Sequence, residues 1–412
     1  MSRASRQNCS RSPVGPAAAL AAFTVALAMW LAAVPAAAGN DLTGEVLTHL
    51  RKGEIVYAVD ADGAPLVEVG AERAFVPAST LKVFTALLVR EYLGLDDRFE
   101  TEFYLDDDWL VVRGTGDPYL VSEELTAAAA ALAARLAGRE LAGVAVDDSY
   151  FASVDVPGVG RSSNPYDARN SAVAVNFNTV HVRRAGGRVV SAEPQTPITP
   201  LARAVAVRRG VTGAERVSIG HSAADIRRHA AELIAAKLRE AGVRVGDGVE
   251  KRAAPSGEPI YVHANSRTIG DVCAAMLEFS SNYVANQLFL AVGAAVEGPP
   301  ATLAKGAIVA RRFIAERPDL EGLVVTEGSG IARTNKATAP ALVAVLDRFA
   351  PQRELLRVEH GVPHKTGTLR EVRSMIGYLD SRSRGTVRFV VWMDGSGHSR
   401  RWRVVDAIRR SF

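Results

Sequence analysis

Apolar runs that are rich in β-branched and aromatic residues predict strands near both ends of the chain. Residues 54–59 and Pro65–Val69 flank a short turn, which is typical of a β-hairpin. Towards the C-terminus, residues 374–380 and 386–393 flank a second turn. We predict that these four strands, with a fifth at the sequence Lys365-Thr366-Gly367, form a five-stranded antiparallel sheet.

Helical spacing of apolar positions predicts the remaining elements. Several of these segments begin after a capping residue such as Ser222 or end at a glycine such as Gly138. The predicted helices are 77–92, 123–137, 223–241, 269–279, 283–292, 302–316 and 399–410, with one more before Gly53. Helices that cover the faces of an antiparallel sheet indicate the α+β class.

The N-terminus has the pattern of a secretory signal. Three arginines precede the apolar run 17–34, and the alanines at 36–38 are small enough for cleavage. We therefore predict that residues 1–38 are a signal peptide and that the mature protein is periplasmic. The alternative is an uncleaved anchor, because the run approaches the ~20 residues that span a bilayer. After cleavage, we expect membrane association to be peripheral at most.

Composition and charge narrow the function classes. The chain is 48% hydrophobic and 23% charged, as in ordinary globular proteins. Its formal charge of +4 falls to +1 once the three signal arginines are removed, so electrostatics favour no nucleic-acid partner. Cys273 is then the single cysteine, which excludes an intrachain disulfide and is typical of a packed apolar position.

The histidine and glycine patterns predict neither a metal nor a cofactor. His360 and His364 are four residues apart, but Gly361 and Pro363 between them are incompatible with the helix of an H-E-x-x-H zinc site. No phosphate-binding glycine motif opens a helix after a strand. The chemistry is therefore expected from side chains alone.

Ser79 and Lys82 are the strongest candidates for that chemistry. They are three residues apart at the start of a predicted helix, so their side chains share a face. A serine hydroxyl becomes a good nucleophile when a neighbouring base removes its proton. A buried lysine near another cation can act as this base, because its pKa falls.

Two further motifs supply complementary groups. Lys365-Thr366-Gly367 is the single K-T-G of the chain and offers a cation, a hydroxyl and a position without a side chain. The motif S-x-N occurs at Ser162-Ser163-Asn164 and at Ser280-Ser281-Asn282. We favour the second copy, because a helix–helix junction can hold its side chains rigidly. The first copy is typical of a turn.

S-x-x-K, S-x-N and K-T-G, in this order, resemble the penicillin-recognising serine transferases and hydrolases. Further segments resemble the D-alanyl-D-alanine carboxypeptidase/endopeptidase family, the penicillin-binding protein 4-like group. The segments are Pro77-Ala78-Ser79-Thr80-Leu81-Lys82, Gly114-Thr115-Gly116-Asp117-Pro118, Asp147-Asp148-Ser149-Tyr150-Phe151, Asn176-Phe177-Asn178 and Gly328-Ser329-Gly330-Ile331-Ala332-Arg333. The resemblance implies a β-lactamase-like, transpeptidase-like domain.

The long separation of Lys82 and Ser280 indicates an inserted domain, as in this family. We predict a discontinuous catalytic domain, 39–96 and 258–412, and an α/β insertion at 97–257. Three positions depart from the family pattern, which usually has acids at the first two and aspartate at the third: Ser281, Asn286 and Glu327.

The resemblance implies a serine D-Ala-D-Ala carboxypeptidase, D,D-endopeptidase or both, acting on peptidoglycan peptides and acylated by β-lactam antibiotics. It assigns catalysis to Ser79, Lys82, Ser280 and Asn282, and substrate binding to Lys365, Thr366, Gly367 and Thr368. Thr368 and Ser79 would supply the N–H groups of the oxyanion hole.

Two alternatives remain open. One is a β-lactamase or esterase on the same site, against which the absent E-x-x-L-N motif argues. The other is a non-hydrolytic, wall-binding homologue, which the departures at Ser281 and Asn286 favour.

Overall fold

The computed structural model describes residues 42–395 and 398–412. The predicted signal peptide lies outside the described residues. The helices are α1 (Leu42–Leu47), α2 (Lys82–Tyr92), α3 (Ser122–Arg135), α4 (Pro200–Arg209), α5 (Ala223–Glu240), α6 (Ile269–Phe279), α7 (Asn282–Glu297), α8 (Leu303–Ala315), α9 (Ala339–Phe349) and α10 (His398–Arg410). Among the described residues, every helix is too short or too polar to cross a bilayer.

Fourteen strands are described among these helices. They are β1 (Ile55–Val59), β2 (Pro65–Val69), β3 (Glu100–Asp106), β4 (Trp109–Gly114), β5 (Glu140–Asp147), β6 (Thr179–Ala185), β7 (Arg188–Ser191), β8 (Ala214–Ser218), β9 (Arg244–Lys251), β10 (Tyr261–Ala264), β11 (Arg357–Glu359), β12 (Val362–Leu369), β13 (Val372–Ser381) and β14 (Gly385–Asp394).

The main sheet has six strands in the order β11-β12-β13-β14-β1-β2, with antiparallel neighbours throughout. Five of them are the predicted strands. The prediction of a five-stranded sheet was wrong by one, because β11 adds a short edge strand. Its three residues are exposed or half-buried, and a segment of three residues is too short to carry a periodic strand signal.

Side chains alternate across this sheet and build a core on each face. Ile376 and Val390 pack with α2, α7 and α9 in the larger core. Met375 and Val391, their neighbours along the strands, pack with α10 on the opposite face. Because side chains along β13 and β14 alternate with a period of two, successive residues of each strand contribute to the two cores in turn.

Residues 97–257 carry two smaller sheets. One has the order β10-β3-β4-β5-β9, with β4, β5 and β9 parallel, and α3 and α5 pack on it. The other has the order β7-β6-β8. Strand β10 lies beyond residue 257 yet pairs with β3. The predicted insertion and the predicted catalytic domain therefore each supply one strand of this pair. The predicted domain boundaries stay a prediction.

Candidate active site

A tight turn presents Ser79 at the start of α2. Residues Ala78–Leu81 form a 3-10 turn, and Lys82 opens the α-helix. Ala78 has a φ of 52°, in the left-handed region, and Gly330 approaches its carbonyl so closely that a Cβ at Gly330 would lie 2.0 Å from that oxygen. Ser79 is half-buried, whereas Lys82 is fully buried. The close approach of Gly330 to Ala78 thus stabilises the turn that exposes the Ser79 hydroxyl.

Lys82 lies between three oxygen atoms. Its Nζ is 2.8 Å from Ser79 Oγ, 2.8 Å from Asn282 Oδ1 and 2.8 Å from the carbonyl oxygen of Ser329. Burial lowers the pKa of Lys82 well below its usual value of 10.5, and the nearby charge of Lys365 lowers it further, against the opposing effect of Glu327. A neutral amine in this position can accept the Ser79 proton.

The S-x-N residues join two helices. Ser280 ends α6 with a φ of 54°, Ser281 is the N-cap of α7, and Asn282 is its first residue. The Ser281 hydroxyl accepts a hydrogen bond from the Val284 N–H at 3.2 Å. Since serine and aspartate are both good N-caps, the departure at Ser281 keeps the junction that directs Ser280 and Asn282 into the cleft.

Lys365 connects Ser280 to the K-T-G strand. Its Nζ donates to Ser280 Oγ at 2.9 Å and to the Thr366 carbonyl at 3.2 Å. Burial lowers the pKa of Lys365 to about 8; Glu278 raises it, and Arg357 and Arg401 lower it further. This lysine can therefore hold a positive charge at neutral pH next to the Ser280 hydroxyl.

Strand β12 offers an open edge to the cleft. Strand β11 pairs with Val362, Pro363 and His364 only, whereas β13 covers the other edge as far as Leu369. The stretch from Lys365 to Thr368 therefore faces the turn that carries Ser79 without an intervening strand among the described residues, and Thr368 is exposed. An extended substrate can add to such an edge through its backbone.

Gly367 packs β12 against the turn that carries Ser79. A Cβ at this position would lie 2.2 Å from Ser374 Oγ and 2.8 Å from the Pro77 carbonyl oxygen, and Ser374 Oγ donates to that same oxygen at 2.6 Å. The residue thus has a packing role besides the substrate access that was expected of it.

We expect Gly367→Ala to destabilise the protein by about 1–3 kcal/mol, because the added methyl overpacks this contact. Acylation of Ser79 should slow as well, since the strand and the turn must separate. Urea unfolding and the acylation rate measure the two effects. Gly213→Ala is the matched control, because its Cβ would meet no atom within 4 Å; similar losses in both variants would contradict the packing role.

Sequence reasoning missed two residues that hold Lys82. The carbonyl of Ser329 contacts the amine, and Glu327 fixes the loop that carries this carbonyl. Glu327 is fully buried and accepts from the Ser329 N–H at 2.8 Å, the Ser329 hydroxyl at 2.6 Å and Asn335 Nδ2 at 2.6 Å. Asn286 Oδ1 accepts from the Gly328 N–H at 2.9 Å. The resemblance of the segment Gly328–Arg333 to the family pattern was the sequence signal that could have indicated this role.

Residues 42–363 match the D-Ala-D-Ala carboxypeptidase 3 (S13) family. The chain belongs to this family. The predicted family and the predicted class of enzyme, a serine peptidase, are thereby confirmed.

Two curated relatives extend the match. The chain is 23% identical to D-alanyl-D-alanine carboxypeptidase DacB of Haemophilus influenzae, over 86% of this chain and 88% of the relative. It is 25% identical to the D-alanyl-D-alanine carboxypeptidase of Actinomadura sp. strain R39, over 98% of this chain and 91% of the relative. The S13 member described here therefore spans most of each relative.

Solved structures confirm the predicted fold class. Penicillin-binding protein 4 of H. influenzae superposes with a TM-score of 0.71 at 19% identity, covering 89% of this chain and 98% of that structure. The peptidoglycan endopeptidase Bd3459 of Bdellovibrio bacteriovorus gives a TM-score of 0.50 at 16% identity, covering 87% of this chain and 90% of that structure. At these identities the similarity establishes the fold.

Proposed function

We propose that this S13 member is a serine D-Ala-D-Ala carboxypeptidase, a D,D-endopeptidase or both, and that it acts on peptidoglycan peptides through an acyl-enzyme on Ser79. One observation carries the proposal: the buried Lys82 amine, with its lowered pKa, lies 2.8 Å from Ser79 Oγ. A nucleophile, its base and the group that orients the base are thus in contact, as acyl transfer requires.

Acylation follows from these contacts. The neutral amine of Lys82 takes the Ser79 proton while Oγ bonds to the substrate carbonyl carbon. The N–H groups of Ser79 and Thr368 stabilise the oxyanion. The C–N bond then breaks, and the proton that Lys82 took from Ser79 is relayed through the hydroxyl of Ser280, which Lys365 contacts at 2.9 Å, to the leaving amine. In the second half-reaction a water attacks the ester carbonyl, its oxygen joins the acyl group, and one of its protons passes through Lys82 to Ser79 Oγ as the ester bond breaks.

Substrate orientation is assigned to the K-T-G strand and to Asn282. Lys365 and Thr366 bind the terminal carboxylate of the leaving residue by charge-assisted hydrogen bonds. Asn282 Oδ1 holds the Lys82 amine, and the amide nitrogen of the same side chain is assigned to the substrate's acyl portion. Neither role needs a cofactor.

Partners and location follow from the same proposal. A β-lactam presents a strained amide and a carboxylate in the place of D-Ala-D-Ala, so it should acylate Ser79 as well. The H. influenzae penicillin-binding protein 4 has been solved in complex with a β-lactam. The predicted signal at residues 1–38 supports a periplasmic location.

Mass spectrometry of the penicillin-treated protein tests the proposal. We expect the mass of penicillin on the tryptic peptide that contains Ser79, and no adduct in Ser79→Ala. Ser162→Ala, which alters the S-x-N copy in the loop, is the matched control and should be labelled like the wild type. An adduct on another residue would contradict the proposed nucleophile.

A further inference from the structure

A buried arginine of α10 contacts the K-T-G strand. Arg401 lies near the start of this helix, and its side chain is 3% exposed. Helix α10 packs on the face of the main sheet that is opposite to α2. The neighbouring Trp402 ring packs edge-on against His364 of β12, with 5.1 Å between the ring centroids. The start of α10 is therefore seated against β12, although the proposed mechanism uses no residue of this helix.

One nitrogen atom of Arg401 contacts two backbone carbonyls. Its Nη1 donates to the Ser374 carbonyl oxygen at 2.7 Å and to the Gly367 carbonyl oxygen at 3.2 Å. Gly367 and Ser374 are partners in the register of β12 and β13. Because a single nitrogen reaches both oxygens, the two carbonyls face each other between these strands and do not point to opposite edges. The Gly367 carbonyl is therefore directed away from the open edge of β12.

The direction of this carbonyl determines the direction of an N–H group. In a trans peptide unit the C=O and the N–H point to opposite sides, and the Gly367 carbonyl shares its unit with the Thr368 N–H. This N–H therefore points to the open edge of β12, where the proposed function needs a donor for the oxyanion. A charged donor on the carbonyl also polarises the amide, which makes the N–H of the same unit a stronger donor.

The same cluster reaches the segment that carries the second assigned donor. Ser374 is fully buried, and while its carbonyl accepts from Arg401, its hydroxyl donates to the Pro77 carbonyl at 2.6 Å. Pro77 lies two residues before Ser79, whose N–H is the other donor of the oxyanion hole in the proposed function. Arg401 and Ser374 thus connect the two backbone segments whose N–H groups must converge on one oxygen atom.

The guanidinium keeps its charge in this position. Burial lowers the pKa of Arg401 to about 10, and Arg373 lowers it further, against the opposing effect of Glu359. Arg401 is therefore protonated at neutral pH, and its hydrogen bonds to the two carbonyls are charge-assisted. A side chain that is 3% exposed is out of reach of a substrate in the cleft. Any effect of Arg401 on the reaction must therefore pass through the carbonyls that it holds.

We propose that Arg401 is a positioning residue for the oxyanion hole: by holding the Gly367 carbonyl, it directs the Thr368 N–H at the oxygen that becomes negative during acylation. This assignment rests on the proposed function and concerns the same reaction. Because the oxyanion forms only as the substrate carbonyl is attacked, loss of Arg401 should slow acylation of Ser79 and leave the initial, noncovalent binding of the substrate unchanged.

Two neutral variants test this role by stopped-flow acylation with a chromogenic cephalosporin. Arg401→Met fills the space with apolar atoms and Arg401→Gln fills it with a shorter polar side chain, so a variant that folds is available in either environment. Removal of an oxyanion-hole donor costs about 10²–10³-fold, and a misdirected donor should cost roughly tenfold in the acylation rate constant. The noncovalent dissociation constant should stay within about twofold of the wild-type value.

Two control variants on the same helix separate positioning from packing. Val405→Ala removes buried methyl groups from the core between α10 and the main sheet. It should unfold at a lower urea concentration and still acylate at the wild-type rate. Arg403→Gln, which alters an exposed arginine of α10, should change neither property. If acylation slows as much in Val405→Ala as in Arg401→Met, the effect comes from the packing of α10 and the proposal is overturned.

Infrared spectroscopy of the acyl-enzyme reads the oxyanion hole directly. A hydrogen bond to the ester oxygen lowers the C=O stretching frequency, and an isotope label at the β-lactam carbonyl identifies this band. We expect the band at a higher frequency in Arg401→Met and Arg401→Gln than in the wild type, and at the wild-type frequency in Val405→Ala. An unchanged band in both Arg401 variants would overturn the proposal. Absence of an adduct on Ser79 in the wild-type protein would instead contradict the proposed function.

Discussion

Replacing Lys82 with arginine should nearly abolish acylation of Ser79. A general base contributes roughly 10²–10⁴-fold to the rate, and an arginine cannot release its proton near neutral pH. Three oxygen atoms surround the Lys82 amine at 2.8 Å, so the larger guanidinium also disturbs Ser79 and Asn282. Stopped-flow measurement with a chromogenic cephalosporin gives the acylation rate.

A smaller variant separates chemistry from folding. Lys82→Gln fits the fully buried site without a charge and should fold, yet it should lose acylation to a similar extent because no base remains. Lys52→Arg, which alters an exposed lysine, is the matched control and should acylate at the wild-type rate. If Lys82→Arg acylates nearly as fast as the wild type, Lys82 is not the base and Ser280 becomes the candidate.

Local sequence patterns predicted which candidate residues lie together, because each motif lies on an element that the sequence marks clearly. Ile269–Phe279 is a helix with the predicted limits, and Thr268 and Asp271 form its capping box. The K-T-G sequence falls within a strand. Because S-x-N occupies the junction after that helix, the sequence could indicate that Ser280 and Asn282 are held rigidly, though not which atoms they contact.

The contacts that hold Lys82 could not be predicted in the same way. The carbonyl of Ser329 is a backbone group, so no side-chain motif marks its role. Glu327 accepts a hydrogen bond from Asn335, and the N–H of its neighbour Gly328 donates to Asn286 of α7, which is distant in sequence. Edge strand β11 was missed for a related reason: its pairing with β12 determines it, rather than any alternation of its own.

The rate of acylation should depend on pH through two lysines. Lys82 must be neutral, so kcat/KM rises with pH through its lowered pKa. Lys365 must be protonated to bind a substrate carboxylate, and its pKa is about 8. Above that pH, kcat/KM for a carboxylate substrate should fall about tenfold per unit, which gives a bell-shaped profile. A neutral ester substrate should show the rising limb alone.

Removing Lys365 tests both limbs at once. Lys365→Ala should lower kcat/KM for a carboxylate substrate roughly ten- to hundredfold at neutral pH, since a charge-assisted hydrogen bond of about 1.5–3 kcal/mol is lost. The neutral ester should lose much less. The falling limb should vanish, and the rising limb should move to higher pH, because the charge of Lys365 helps to lower the pKa of Lys82.

Lys365→Arg keeps that charge and is the matched control, in which the rising limb should stay in place. Equal losses for charged and neutral substrates in Lys365→Ala would show that Lys365 supports the strand rather than the substrate carboxylate.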